Sequence, residues 1–227
     1  MLLRYYFNGF LHLLFPRLCM ACEANLFVSE EMLCTKCLYH LPFTDFHLDD
    51  NNETARQLWG KIEFNHAFSM LHLAKSSRVE TLLHKLKYKN QPEIGVFLGK
   101  LYAHKITSIP QYVDYIIPVP LHRSKLRKRG YNQAGEFAKG LSLGLNIPLR
   151  QNILLREVLS VSQTQKTKTE RYDNVKNVFA LNIKETLQGK HIFLVDDVLT
   201  TGATICEAAS LLITSGTTVS IATIARA

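Results

Sequence analysis

Ile192-Phe193-Leu194-Val195-Asp196-Asp197-Val198-Leu199-Thr200-Thr201-Gly202-Ala203-Thr204 sets out, in order, an apolar run, two adjacent carboxylates, a hydroxyl-and-glycine loop and the start of a second apolar pattern. Residues 192–195 are continuously apolar, with β-branched and aromatic content, which suits a strand buried on both faces of a parallel sheet. Asp196 and Asp197 then fall at its carboxyl end, the edge of an open α/β sheet where ligands collect. From residue 203 to 215 the apolar residues Ile205, Ala208, Ala209 and Leu212 recur at helical spacing. Strand, carboxylates, loop and helix in this order point to an α/β fold.

Those parts suit a phosphosugar. Tight-turn amides and the orphan N–H groups of a helix start bind phosphate at the positive end of the dipole. Thr200, Thr201 and Thr204 add hydroxyl donors, and Gly202, without a Cβ, lets the backbone come close. Asp196 and Asp197 accept hydrogen bonds from vicinal hydroxyls and can hold Mg²⁺ directly or through its waters. A ribose 5-phosphate uses all three features. The plainer alternative is a strand ending in a solvated, capped turn. No Gly-Lys pair is followed by Ser or Thr and no G-x-G-x-x-G occurs, so P-loop and dinucleotide fingerprints are absent. Residues 195–204 resemble the 5-phosphoribosyl-1-pyrophosphate (PRPP) motif of type I phosphoribosyltransferases. The resemblance implies that Asp196, Asp197 and residues 200–204 bind PRPP, with the two carboxylates at the reacting sugar.

Near the other end, Cys19-x-x-Cys22 and Cys34-x-x-Cys37 form two knuckles separated by eleven residues. Four thiolates so spaced suit a tetrahedral structural zinc, which would fold a segment too small for its own core. Disulfides are the competing reading, without a secretory context to favour them. Cys206 is unpaired and reads as a small buried hydrophobe. The nine histidines form no cluster with metal spacing, and His122, beside the basic residues of 123–129, is the histidine to test.

Length and composition agree with one α/β unit plus a small metal-stapled module. The chain has 227 residues, 47% of them hydrophobic, and a formal charge of +8, which favours polyanionic partners. Residues 2–15 are apolar but interrupted, too short to span a membrane, without a basic start typical of a signal peptide. They read as a short amphipathic helix, and reduced thiols fit a cytoplasmic protein. The expected division is an N-terminal helix and zinc module over 1–50, a polar linker over 51–60, and the main unit over 61–227. Within the last, strands are expected at 67–74, 113–119 and 153–155, and helices at 77–88, 92–106 and 131–145, followed by strand, helix and strand from 190 to 227. Alternating elements imply a parallel sheet flanked by helices.

Arg123, Lys125, Arg127, Lys128 and Arg129 crowd into the segment after 113–119. Leaving the carboxyl end of a strand, this basic loop belongs on the rim that carries Asp196, where its arginines suit pyrophosphate; a solvated basic loop is the alternative. Lys85, Lys87, Tyr88 and Lys89 interleave cations with an aromatic ring, as do Arg129 and Tyr131, a pattern that serves single-stranded nucleic acid.

The blocks taken together resemble the ComF family: the zinc cysteines, residues 86–89, Pro118-Val119-Pro120 through residues 129–133, the PRPP loop, and Ser162-Gln163-Thr164 leading to Glu170-Arg171, Asn174-Val175 and Phe179. The last block is similar to that family's mobile segment over the active site. Membership implies a type I phosphoribosyltransferase-like fold with a zinc ribbon, PRPP with Mg²⁺ as ligand, and a role with single-stranded DNA and DNA-uptake proteins. Two functions stay open: a DNA-uptake factor with PRPP as regulator or relic, and a transferase moving a phosphoribosyl group to an amine or base. Glutamine-driven amidotransfer is not expected, since no glutaminase-type nucleophilic cysteine precedes the module.

Overall fold

The computed structural model describes residues 16–106, 112–156, 178–182 and 186–227. The expected N-terminal amphipathic helix and the block at 162–175 lie outside the described residues. Among them the strands are β1 (Ala67–His72), β2 (Tyr115–Pro118), β3 (Leu154–Arg156), β4 (Phe179–Leu181), β5 (His191–Leu199) and β6 (Thr218–Arg226). The helices are α1 (Thr35–Tyr39), α2 (Glu53–Leu58), α3 (Arg78–Tyr88), α4 (Glu93–Ala103), α5 (Arg123–Arg129), α6 (Gln133–Leu145) and α7 (Ala203–Thr214).

The main sheet is parallel, in the order β1-β6-β5-β2. Alternation along β5 explains its continuous hydrophobicity. Phe193 and Val195 join Phe68, Met70 and Ile224 under α3, α4 and α6, whereas Ile192 and Leu194 meet Ile205, Ala208, Ala209 and Leu212 of α7. Both faces are covered, so no position from 192 to 195 is free to be polar, and each buried large side chain contributes about 1.5–3 kcal/mol. Helices α4 and α6 approach through bare backbone: a Cβ on Gly99 would stand 2.3 Å from the Phe137 carbonyl oxygen, and one on Gly140 would stand 2.2 Å from that of Val96.

Short bridges shield both edges of the sheet. Residues 42–44 run antiparallel to β1, with Thr44 N donating to Met70 O (3.1 Å) and His72 N to Pro42 O (2.9 Å). On β2, Ile116 N donates to Pro148 O (2.9 Å). Such cover removes the open backbone row that invites strand addition.

Expected and observed elements part company in four places. The strand of 192–195 continues to Leu199, so both carboxylates lie inside β5. The stretch read as a polar linker contains α2, capped by Asn52, whose side chain accepts from Ala55 N (3.0 Å) and donates to Ala67 O (2.8 Å); Ala55 and Leu58 are fully buried. The basic loop is helix α5, started by His122 Nδ1 accepting from Ser124 N (3.2 Å) and stopped by Gly130 at φ +82°. With Leu126 as its sole apolar residue, it carries no amphipathic pattern to announce it, while Arg127, Lys128 and Arg129 favour its negative dipole end. The strand near 153–155 belongs to a separate antiparallel pair with β4.

Candidate functional site

The rim is built by a difference in strand length. Pairing of β2 with β5 ends at Pro118–Val195, while β5 continues beside β6 through Asp196–Thr223 to Leu199–Arg226. Past Val195 a cavity of ≈ 170 Å³ opens, lined by Asp196, Asp197, Thr204, Lys87, Lys125 and Arg129 among others. Lys87 Nζ, at the end of α3, pairs with Asp197 Oδ2 (2.9 Å), their side chains only 22% and 17% exposed. Asp196 Oδ1 accepts from Asp197 N (2.8 Å). Burial and the neighbouring Asp197 charge raise the Asp196 carboxyl to about 7, against the lowering effects of the Asp197 amide, Lys87 and Arg156.

Beside this cavity, Asp196, Thr200, Thr201, Gly202, Ala203 and Thr204 line a hollow of ≈ 40 Å³. Gly202 sits at φ +80°, ψ −5° as the N-cap of α7 and has no side chain to cap it; Thr201 Oγ1 accepts a long bond from Ala203 N (3.4 Å). The amides that follow Ala203 in the first turn of α7, orphaned by helix geometry, keep their positive dipole end for an anion. From below, α2 braces the loop. Gln57 Nε2 donates to Thr200 O, Arg226 Nε to Gln57 Oε1 (3.3 Å), and Arg226 Nη1 pairs with Glu53.

The basic residues divide. Lys125 and Arg129 line the cavity with Lys87, Arg123 lines an adjoining groove, and Arg127 lines neither. Arg129 Nη1 donates to Gln133 Oε1 (2.7 Å), and its guanidinium lies 5.3 Å from the Tyr88 ring centroid. Tyr88 itself is exposed, beside His84. His122 acts as a helix cap. Cys206 is half-buried on α7, and burial pushes its thiol up.

Arg156, Gln57 and Arg226 escaped the sequence reading. Arg156 closes a short strand outside the parallel sheet, so the rim argument applied to 123–129 does not reach it. Gln57 lies in a stretch with an Asn cap, an acidic first-turn residue and apolar Ala55 and Leu58 three apart, a helix-start signature. Arg226 carries no local signal.

In the N-terminal module, Cys19, Cys22, Cys34 and Cys37 place all four sulfurs within 4.8 Å of one another. Zn–S bonds of about 2.3 Å in a tetrahedron put sulfurs about 3.8 Å apart; Cys22 Sγ and Cys34 Sγ are 3.7 Å apart. Amides already point at the sulfurs, from Cys34 to Cys19 (3.3 Å) and from Cys37 to Cys34 (3.4 Å). Glu30 braces the loop between knuckles, accepting from Phe27 N (2.8 Å) and Thr35 N (2.6 Å). The donor set and spacing are those of a zinc site. Leu33, Cys37 and Leu41 share one core with α3 and α4, and Lys85 of α3 pairs with Glu23 (2.9 Å).

A parallel sheet with paired carboxylates inside its rim and a glycine-started helix beyond them makes this a phosphoribosyltransferase-type protein, and residues 126–227 match the phosphoribosyl transferase domain family. The similarity extends well beyond that domain. The chain is 30% identical over 194 residues to DNA utilization protein YhgH of Escherichia coli O157:H7, covering 83% of this chain and 81% of that protein. It is 28% identical over 205 residues to competence protein F of Haemophilus influenzae, covering 86% and 90%. It belongs to the ComF family. Among solved structures, glutamine PRPP amidotransferase from B. subtilis aligns at 19% identity and TM-score 0.44 over 62% of this chain and 30% of that one. Among the described residues no helix is long and apolar enough to cross a membrane.

Proposed function

We propose that this ComF-family chain binds PRPP with Mg²⁺ at the sheet rim and handles single-stranded DNA in the cytoplasm, in DNA uptake or processing alongside other uptake proteins. One observation carries the reading: a single cavity joins Asp196, Asp197 and Thr204 to Lys87, Lys125 and Arg129. The 5-phosphate goes to residues 200–204, the ribose hydroxyls to the carboxylates, and the pyrophosphate to the cations. Two carboxylates offer the hard oxygens Mg²⁺ takes, and the ion supplies charge neutralisation when bound. The module of residues 1–50 carries structural zinc, and 51–60 joins it to the unit of 61–227 while bracing the loop through α2. The names of the relatives, DNA utilization and competence, together with the cations around Tyr88, support the DNA role.

A transferase acting on an amine or base is the second reading. It is favoured by a groove of ≈ 490 Å³ adjoining the cavity, with space for a second substrate. In that reading Asp196 and Asp197 hold the sugar as positive charge develops at C1, and Lys125 and Arg129 receive the departing pyrophosphate.

Calorimetry of the zinc-loaded protein with PRPP and Mg²⁺, wild type beside Asp197→Ala, tests the main reading, with single-stranded DNA binding measured before and after PRPP. Micromolar binding, about −8 kcal/mol, lost in the variant is the expected result. A folded wild type that takes no PRPP overturns it. Pyrophosphate release with a panel of amines and bases decides the second reading.

A further inference from the structure

The groove beside the cavity has an unusual lining for a surface this basic. Leu126 of α5 and Leu155 of β3, 41% and 43% exposed, both face it, with Tyr131, Asn152 and Arg123. Pro120, Leu121, Asn132 and Arg156 line groove and cavity alike, so the two spaces share a wall.

Arg156 stands at their junction. Its guanidinium carbon lies 5.3 Å from the Phe179 ring centroid, and its Nε is buried without a hydrogen-bond partner. A buried donor left unpaired costs about 1–3 kcal/mol, and the Phe179 ring beneath the guanidinium offsets part of that by a cation–π contact. An oxyanion entering the groove meets the side chains of Arg156 and Arg123, both of which line it. Inorganic phosphate or pyrophosphate would use the arginines and leave the leucines bare. A simple amine would meet two cations. A phosphate carrying a flat heteroaromatic ring uses every part: arginines for the phosphate, Leu126 and Leu155 for the ring faces, and Asn152, Gln151 and Glu136 for its polar edge.

We infer that this groove is a second ligand site, taking one nucleotide unit with its phosphate on Arg156 and Arg123 and its base against Leu126 and Leu155. As a neighbour of the phosphoribosyl cavity it rests on the function proposed above, and it specifies the class of the second substrate or partner. The unit is either a free mononucleotide or one residue of a single strand.

The test uses the full zinc-loaded chain and a 5′-phosphorylated thymidine trinucleotide labelled at its 3′ end, read by fluorescence anisotropy. Arg156→Ala weakens the probe about tenfold or more, the loss expected for a charge-assisted contact, and Arg156→Lys recovers part of it; Leu155→Asp weakens it about tenfold by removing an apolar contact and adding a charge that repels the phosphate. Leu155→Asp, at an exposed position, leaves Mg²⁺–PRPP affinity and thermal stability unchanged. Competition by thymidine 5′-monophosphate as strong as by unlabelled trinucleotide assigns the groove to free nucleotides, and competition by the trinucleotide alone assigns it to a strand. Probe affinity indifferent to Leu155→Asp, or an Arg156→Ala defect confined to Mg²⁺–pyrophosphate, overturns the inference. A protein that binds the probe through Leu155 but takes no PRPP keeps the groove and loses the reading of the cavity.

Discussion

Replacing Gly202 by Ala tests whether the loop conformation or its residue types make the phosphate-binding hollow. Gly202 sits at φ +80°, where an L side chain costs about 1–2 kcal/mol, and the added Cβ would come 2.9 Å from Leu58 Cδ2. That contact ends on a flexible side chain, so α2 yields by a few tenths of an ångström and the backbone term dominates. The sum, about 2 kcal/mol, lowers Tm by about 4–8 °C at this chain length. Leu58→Ala alone costs about 2–5 kcal/mol from its buried site. The double variant should be less unstable than the sum of the singles by about 0.5–1 kcal/mol, because the clash is gone while the strain remains. Urea unfolding of the four proteins gives these terms, and calorimetry with ribose 5-phosphate reports the hollow. A Gly202→Ala protein that melts with the wild type and keeps its phosphate affinity would refute the geometric argument.

Asp196→Asn addresses the price of a buried carboxylate in the ligand-free state. Because its folded value, about 7, exceeds the ordinary 3.8, the folded chain holds a proton that the unfolded chain has released between those limits, so stability falls as pH rises through the window. The variant escapes this. Its advantage over wild type should be near zero at pH 4 and reach at most about 4 kcal/mol above pH 7, about half that with solvent access allowed for, measured by urea titration across pH; an advantage independent of pH counts against the argument. Lys87→Met leaves Asp197 without its cation and lowers stability by about 1–2 kcal/mol, and millimolar Mg²⁺ restores part of the loss if an ion can replace the ammonium; melts with and without Mg²⁺ decide. Chelation of the zinc should lower Tm by more than about 10 °C rather than melt a separate tail, because the module shares its core with α3 and α4; mass spectrometry before chelation should find one zinc per chain.

The apolar half of β5 was readable from its unbroken run of four apolar residues ending at two carboxylates, and helix α7 from its uninterrupted helical spacing. The four cysteines were readable because their spacing is itself the geometry. Helix α5 was hidden by a composition that resembles a solvated loop, its start fixed by a histidine cap that propensity does not weigh. Helix α2 was hidden by its polar flank of Asp49 to Asn52, although Asn52 is buried and serves as both cap and tie to β1. At the site, Asp196, Thr204 and Lys125 could be placed on one rim from strand logic alone. The Lys87–Asp197 pair could not, since it joins the end of α3 to β5 across the sheet, and neither could the buried unpaired nitrogen of Arg156.

The antiparallel seam between residues 42–44 and β1 makes the metal module a structural boundary of the sheet. A chain cut at residue 60 would lose this seam, the Asn52 tie and the Gln57 brace together, leaving β1 with a bare hydrogen-bonding row open to another molecule. Such fragments should self-associate, and fusions or deletions that treat the cysteine segment as a detachable tag should yield aggregates in place of a smaller working unit. The two ends of this chain are therefore expected to be inherited, expressed and lost as one piece.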